Sequence, residues 1–212
     1  MTVNSDGGGT VASMPTGETT TDGRRLRRDN NRRAVVDALL TLYQEGNLTP
    51  STEEIAARSG VSSRSLFRYF DDVDDLARAA IVAEVDRIRH LTSVDVRPDQ
   101  PLATRLSELA TQRSVLWEAV GAVAMVSRMR AHRNPTLAEA LRAHRSQLRQ
   151  QVADVVSPEL AAAGPTAGTL LALADVLTSF ETWRLLRDDQ ALSVDAARVA
   201  LLEGLTRLFA PN

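Results

Sequence analysis

Residues 49–70 read TPSTEEIAARSGVSSRSLFRYF, and this stretch decides the fold. Ser51 and Glu54 have capping-box spacing, the serine placed to accept from an early amide and the glutamate to reach back. Ile55 and Ala56 supply the buried face of the short helix that follows. Ser59-Gly60 stops that helix, Val61 is an apolar plug, and Ser62 caps a second helix running to about Tyr69 or Phe70. The pattern is a short helix, a glycine-containing turn and another short helix.

On the amino-terminal side, Val36, Leu39, Leu40 and Tyr43 stand at i, i+3, i+4 and i+7, one face of a helix that Gly46-Asn47 ends. Arg24, Arg25, Arg27, Arg28, Arg32 and Arg33 precede it. With Arg58, Arg64 and Arg68 they make nine arginines between Arg24 and Phe70, against five acids, a local balance of +4. The whole 212-residue chain has 25 basic and 27 acidic side chains and a net charge of -2, so any affinity for phosphate is local. Every basic residue is arginine, which compositional bias explains better than function, although each offers a planar fork for phosphates and guanine edges. Residues 1–23 are rich in glycine, threonine and serine and have no aromatic side chain, so a disordered tail is expected there.

On the carboxy-terminal side, Asp71, Asp72, Asp74 and Asp75 surround Val73, and acids suit a helix amino terminus. Leu76, Ala80, Val82-Ala83 and Ile88 keep helical order to about Leu91. Leu102, Leu106, Leu109, Leu116 and Val120 form a further stripe, with Gly121 an expected kink before Val123–Met129. Leu137, Leu141, Leu148 and Val152 continue to Ser157-Pro158, Gly164-Pro165 opens a helix over about Thr166–Leu186, and a last helix spans about Val194–Phe209. No run alternates with period two, so the expected fold is all-α with about nine helices. The Thr166–Leu186 helix is apolar nearly all round and needs two partners, its own domain and a symmetry mate. Leu170, Leu173 and Leu177, with Leu202, Leu205 and Phe209, are the candidate dimer face.

The chain has no cysteine, hence no disulfide, thiol nucleophile or thiolate zinc site. His90, His132 and His144 have no spacing that suggests a metal. Neither a nucleophile elbow, a phosphate-binding glycine loop nor a zincin helix occurs, so neither an enzyme nor a cofactor is expected. No charged segment followed by an apolar run opens the chain, and no ~18-residue uninterrupted apolar run is found. A cytoplasmic protein without membrane contact is therefore expected.

The segment from Thr49 to Leu76 resembles the amino-terminal DNA-binding domain of the TetR family of bacterial transcriptional regulators. The resemblance is carried by Ile55-Ala56, Gly60-Val61-Ser62, Leu66-Phe67, Tyr69-Phe70 and Leu76. Beyond the disordered tail expected over 1–23, it implies a three-helix helix-turn-helix domain over 24–72 and a helical effector-binding and dimerisation domain over 73–212. Its second short helix lies in a major groove about 12 Å wide. Arg64 is the candidate for a base edge, and Arg28, Arg32, Thr52, Ser62, Ser63, Ser65, Phe67, Arg68 and Tyr69 are the remaining candidates for bases or phosphates. Where the family commonly has a phosphate-touching lysine, this chain has Val73 among acids, so that contact is not carried over. The resemblance also implies a homodimer on a palindromic double-stranded operator, with reading heads about 34 Å apart. It further implies release by a small, apolar effector, and Trp117, Met125, Met129, Phe180 and Trp183 are the candidate pocket. A helical binding module of the same fold that does not use DNA, and an activator in place of a repressor, are the alternatives.

Overall fold

The structure, a computed structural model, describes the backbone of residues 18–210 and the side chains of residues 23–210. Among the described residues there are ten α-helical segments and no strand, in line with the all-α expectation. They are α1 Glu18–Gln44, α2 Thr52–Ser59, α3 Ser63–Leu66, α4 Val73–Ile88, α5 Leu102–Ala131, α6 Pro135–Val155, α7 Ser157–Ala163, α8 Ala167–Leu177, α9 Phe180–Arg184 and α10 Val194–Leu208. The expected tail lies outside the described residues as far as residue 17. From Glu18 the chain is helical, so the expected boundary at Arg24 falls inside α1.

Two apolar cores organise these helices. One gathers Val36, Leu39, Leu40 and Tyr43 of α1, Ile55, Leu66 and Phe70, with Leu76, Ala77, Ala80 and Ile81 of α4 and Val123, Val126 and Leu137 beyond them. The other holds Ile88, Leu106, Leu109, Leu116 and Trp117 against α6, α8, Phe180, Trp183 and α10. Helix α4 therefore begins in the first core and ends in the second, and α5 spans both. Its inward face is Leu76, Ala77, Ala80, Ile81, Glu84 and Ile88, while Val82, expected on that stripe, points outward.

Three expectations are corrected. α5 runs without interruption through Gly121. α3 ends at Leu66, and the bonds Arg68 N–H to Ser65 O and Tyr69 N–H to Leu66 O close a tighter turn beyond it. The expected Thr166–Leu186 helix is broken at Thr178-Ser179. There the Thr178 hydroxyl donates to the Ala174 carbonyl, the Ser179 side chain caps α9, and Trp117 Nε1 donates 3.0 Å to the Thr178 carbonyl released by the break.

Buried polar groups fasten α5 to its surroundings. Arg113 is buried and donates to the Leu148 carbonyl at 3.0 Å and to Gln112 and Gln151, which in turn donate to the Leu91 and Thr92 carbonyls. Burial pushes its guanidinium down to about 10, with the charge of Asp175 opposing. Arg105 binds Glu159 through two hydrogen bonds of 2.6 and 3.0 Å and also donates to the carbonyls of Gln100 and Val155.

These groups set the response to acid. Burial raises Glu159, but the hydrogen bonds from Arg105 and its own amide, with the charge of Arg105, hold it below its usual value. Glu181 is lowered in the same way, burial opposed by Arg128, its own amide and Arg145. Glu118 is lowered chiefly by hydrogen bonding from Arg187. The native state keeps all three ionised below the pH at which the unfolded chain protonates them. Their stabilisation is present above the unfolded value of 4.5 and is lost as pH falls through the lower folded values. His144, held below 6.5 by burial and then by the charges of Arg113 and Arg128, resists the proton that an unfolded histidine takes up. Thermal melts should therefore show stability falling in two stages, first below about pH 6.5 and then below about pH 4.5. A flat profile from pH 7 to 3 contradicts this.

Candidate nucleic-acid interface

The reading head is built by short-range chemistry. Ser51 accepts from the Glu54 amide, and the Glu54 carboxylate accepts from the Ser51 amide at 2.7 Å, so both halves of the capping box form. Gly60 ends α2 at φ 69°, ψ 11°, a left-handed conformation that a Cβ would strain. Val61 is buried as the plug, and Ser62 caps α3 by accepting from the Ser65 amide at 3.3 Å. Leu66 and Phe70 anchor the inner face.

What remains outward is the candidate reading surface. Arg64, Phe67 and Arg68 are exposed, Ser63, Ser65 and Tyr69 are half-buried, and Phe67 keeps 50% of its surface open. Phe67 stands just beyond the last residue of α3, with half of its ring uncovered among the described residues. The Ser62 hydroxyl donates to Ser65 at 3.0 Å, so these two serines serve the cap as well as the surface. Thr52 sits at the start of α2, its hydroxyl donating to Glu53. Arg32 stacks on Phe70 with its guanidinium carbon 4.9 Å from the ring centre, and Arg28 is exposed one turn earlier. Asn31, which sequence reasoning missed, donates 3.0 Å to the Tyr69 hydroxyl and thereby ties α1 to the end of the reading segment.

The charges sort themselves into engaged and available groups. Arg58 forms two hydrogen bonds of 2.7 and 2.8 Å with Glu45, which cancels one arginine and one acid. The local excess then rests on the exposed arginines of α1 with Arg64 and Arg68. Three of the four acids that follow are occupied. Asp72 caps α4, Asp75 pairs with Arg78 at 2.5 Å, and Asp74 pairs with Arg130 of α5. Their repulsion of a nearby phosphate is weakened accordingly.

Arg64→Ala should cost about 1–3 kcal/mol of discrimination between the best duplex and one altered at a single position, roughly five- to 150-fold. Competition binding with single-position duplex variants measures it. Equal weakening on all sequences would assign Arg64 to phosphate instead.

The expected pocket residues do not share one cavity. Trp117, Met125, Phe180 and Trp183 border a hollow of about 420 Å³ with Tyr43, Glu118 and Arg187. Phe180 and Trp183 are nonetheless core residues. Met129 is exposed and borders a separate hollow near Arg130 and Asn134. A third cavity of about 270 Å³ lies between α4, α5 and α6, lined by Ile81, Glu84, Ile88, Trp117, Ser127 and His144 among others.

The residues of the expected dimer face are for the most part turned inward. Leu205 and Phe209 are buried in the chain's own core, and Leu170, Leu177 and Leu202 are half-buried against it. Leu173 stays outward at 48%, joined by Val176 at 57% on α8 and Val199 at 55% on α10. α8 and α10 are in contact with one another, with Gly204 of α10 facing Leu177 of α8.

Residues 36–80 match the family model of bacterial regulatory proteins of the tetR family. A search of curated proteins found no match. Among solved structures, a transcriptional regulator from Rhodococcus sp. Rha1 is similar at a TM-score of 0.63 and 22% identity, over 85% of this chain and 95% of that one. A second Rhodococcus sp. protein, described as a TetR-family transcriptional regulator, gives 0.56 at 23% identity over 87% and 99% of the two chains. One from Mesorhizobium loti MAFF303099, described in the same way, gives 0.57 at 14% identity over 86% and 96%. These likenesses establish a common fold.

Proposed function

We propose that this chain, whose residues 36–80 match the family model of bacterial regulatory proteins of the tetR family, is a sequence-specific DNA-binding transcriptional regulator, acting as a homodimer on a palindromic operator and released by a small effector. The observation that carries the reading is the exposed face of Arg64, Phe67 and Arg68, held rigid from below by Leu66 and Phe70 and from the side by Asn31. A short helix presented in this way suits the major groove, and the arginines of α1 suit the flanking phosphates.

The dimer is supported by Leu173, Val176 and Val199, apolar side chains of α8 and α10 that the described residues leave exposed. Residues 157–177 have a mean hydropathy of 1.5 over a length that would cross a bilayer. Gly164 at φ 54° and the following Pro165 separate α7 from α8 within that stretch, however, so a second copy of the chain is the better cover. A cytoplasmic repressor is the corresponding cellular role. Release follows if an occupant of the α4–α5–α6 cavity favours a position of α4 that misplaces the reading heads. α4 starts at the end of the reading segment and lines the cavity farther along, and an occupant must prefer one state to shift the equilibrium.

Salt-titrated binding of a pool of duplexes tests the proposal. A steep loss of affinity with rising salt, a sequence preference and two chains per bound duplex are expected. No affinity at low salt refutes it.

A further inference from the structure

The cavity between α4, α5 and α6 contains a polar group that the fold itself does not satisfy. Glu84 is 2% exposed, lines the cavity, and its Oε2 has no hydrogen-bond partner among the described residues. Arg87, its own side chain half-exposed, forms an ion pair with that oxygen at 3.5 Å without donating a hydrogen bond to it, and donates to Asp37 at 3.2 Å. A buried carboxyl oxygen without a hydrogen-bond donor is costly, and a bound molecule bearing an N–H group would remove that cost.

The other charged groups of the wall stand beside opposite charges and are not among the buried atoms that lack a hydrogen bond. Arg128 donates to Glu181 at 2.6 Å and to the Ala124 carbonyl at 3.1 Å, and lies 4.5 Å over the Phe180 ring. Arg145 stands 3.7 Å from Glu181 and 3.8 Å from Asp175. His144 favours its neutral form because of burial and the charges of Arg113 and Arg128. The Ser127 hydroxyl donates to the Val123 carbonyl at 2.7 Å. The unmet demand in the cavity is therefore for a donor at Glu84, against a wall otherwise made by Ile81, Ile88, Trp117 and aliphatic neighbours. At about 270 Å³ the cavity lies just under the ~300–1,000 Å³ of ordinary ligand sites, so its occupant is compact.

We infer that this cavity binds a compact apolar molecule carrying a protonated amine, whose N–H donors meet Glu84. The inference rests on the effector reading above and adds the chemistry of the effector. A neutral alcohol offers Glu84 one weaker donor, and a carboxylate offers none.

The experiment titrates the full-length chain with 4-phenylbutylamine, 4-phenylbutan-1-ol and 4-phenylbutyrate at pH 7, by tryptophan fluorescence and calorimetry. The amine is expected to bind at least tenfold more tightly than either analogue. Glu84→Gln should remove that preference, bringing the amine to the level of the alcohol. Ala124→Phe, which fills the cavity, should weaken amine and alcohol alike. Should Glu84→Gln fail to fold, the ranking of the three probes on the unaltered chain decides. The inference is overturned if the alcohol or butyrate matches the amine, if Glu84→Gln keeps the preference, or if none of the three binds. DNA retention is read separately. Amine binding through Glu84 with unchanged DNA affinity would defeat the release mechanism and leave the ligand chemistry standing. DNA release by butyrate would do the reverse.

Discussion

Val176→Asp combined with Val199→Asp is expected to turn a dimer of the 23.0 kDa chain into a monomer and to weaken binding to a palindromic duplex by about 10²–10⁴-fold. Both valines are more than half exposed in the single chain, so the substitutions leave the fold of each protomer in place. In the proposed dimer they place carboxylates in an apolar contact, at a cost of roughly several kcal/mol. The loss on DNA then follows from geometry. When two reading heads are joined, the second half-site is met at a high effective concentration, and separated heads lose that advantage. Sedimentation with matched duplex titrations separates the two effects. A double variant that remains dimeric removes α8 and α10 from the interface.

Arg105→Ala is expected to cost about 3–5 kcal/mol of stability, the range for breaking one side of a buried ion pair. Arg105 is 3% exposed, and its removal strands Glu159 together with the carbonyls of Gln100 and Val155. For a chain of this size the melting temperature should fall by roughly 6–20 °C. The same variant should lose the contribution of Glu159 to the acid profile, because the interaction that lowers that carboxyl is gone. A cost under about 1 kcal/mol would place the pair among the weak surface bridges.

Much of the reading head was legible because its signals are local. Ser51 with Glu54, Gly60 and Ser62 specify their caps within three or four residues, and all form as expected. The end of α3 was less legible, because Phe67, Arg68 and Tyr69 are all compatible with a further helical turn. The break at Thr178-Ser179 was missed for a similar reason. No glycine or proline marks it, and its only sequence trace is Ser179 placed to cap the Thr182 amide.

The dimer face shows a different limit. Leu201, Leu205 and Phe209 lie on one face of α10 and Val199 on another. Helical period reveals both faces but not which one turns inward. Glu84 was readable in principle, since it stands in register with Ala77, Ala80, Ile81 and Ile88, an acid on an apolar face. Arg105 and Arg113 sit likewise among the leucines of α5, where a long polar side chain reads as solvent-facing until its partners on α6 and α7 are known.

The central claim is that two copies of the α3 segment read one symmetric site. Selection of duplexes from a random pool by the full-length chain, followed by sequencing of those retained, tests it most directly. An inverted repeat with half-site centres one helical turn apart, about 34 Å, is expected, and with Arg64→Ala a loss of preference at one symmetric pair of positions. Retained duplexes that share no inverted repeat, or none retained at low salt, would contradict it.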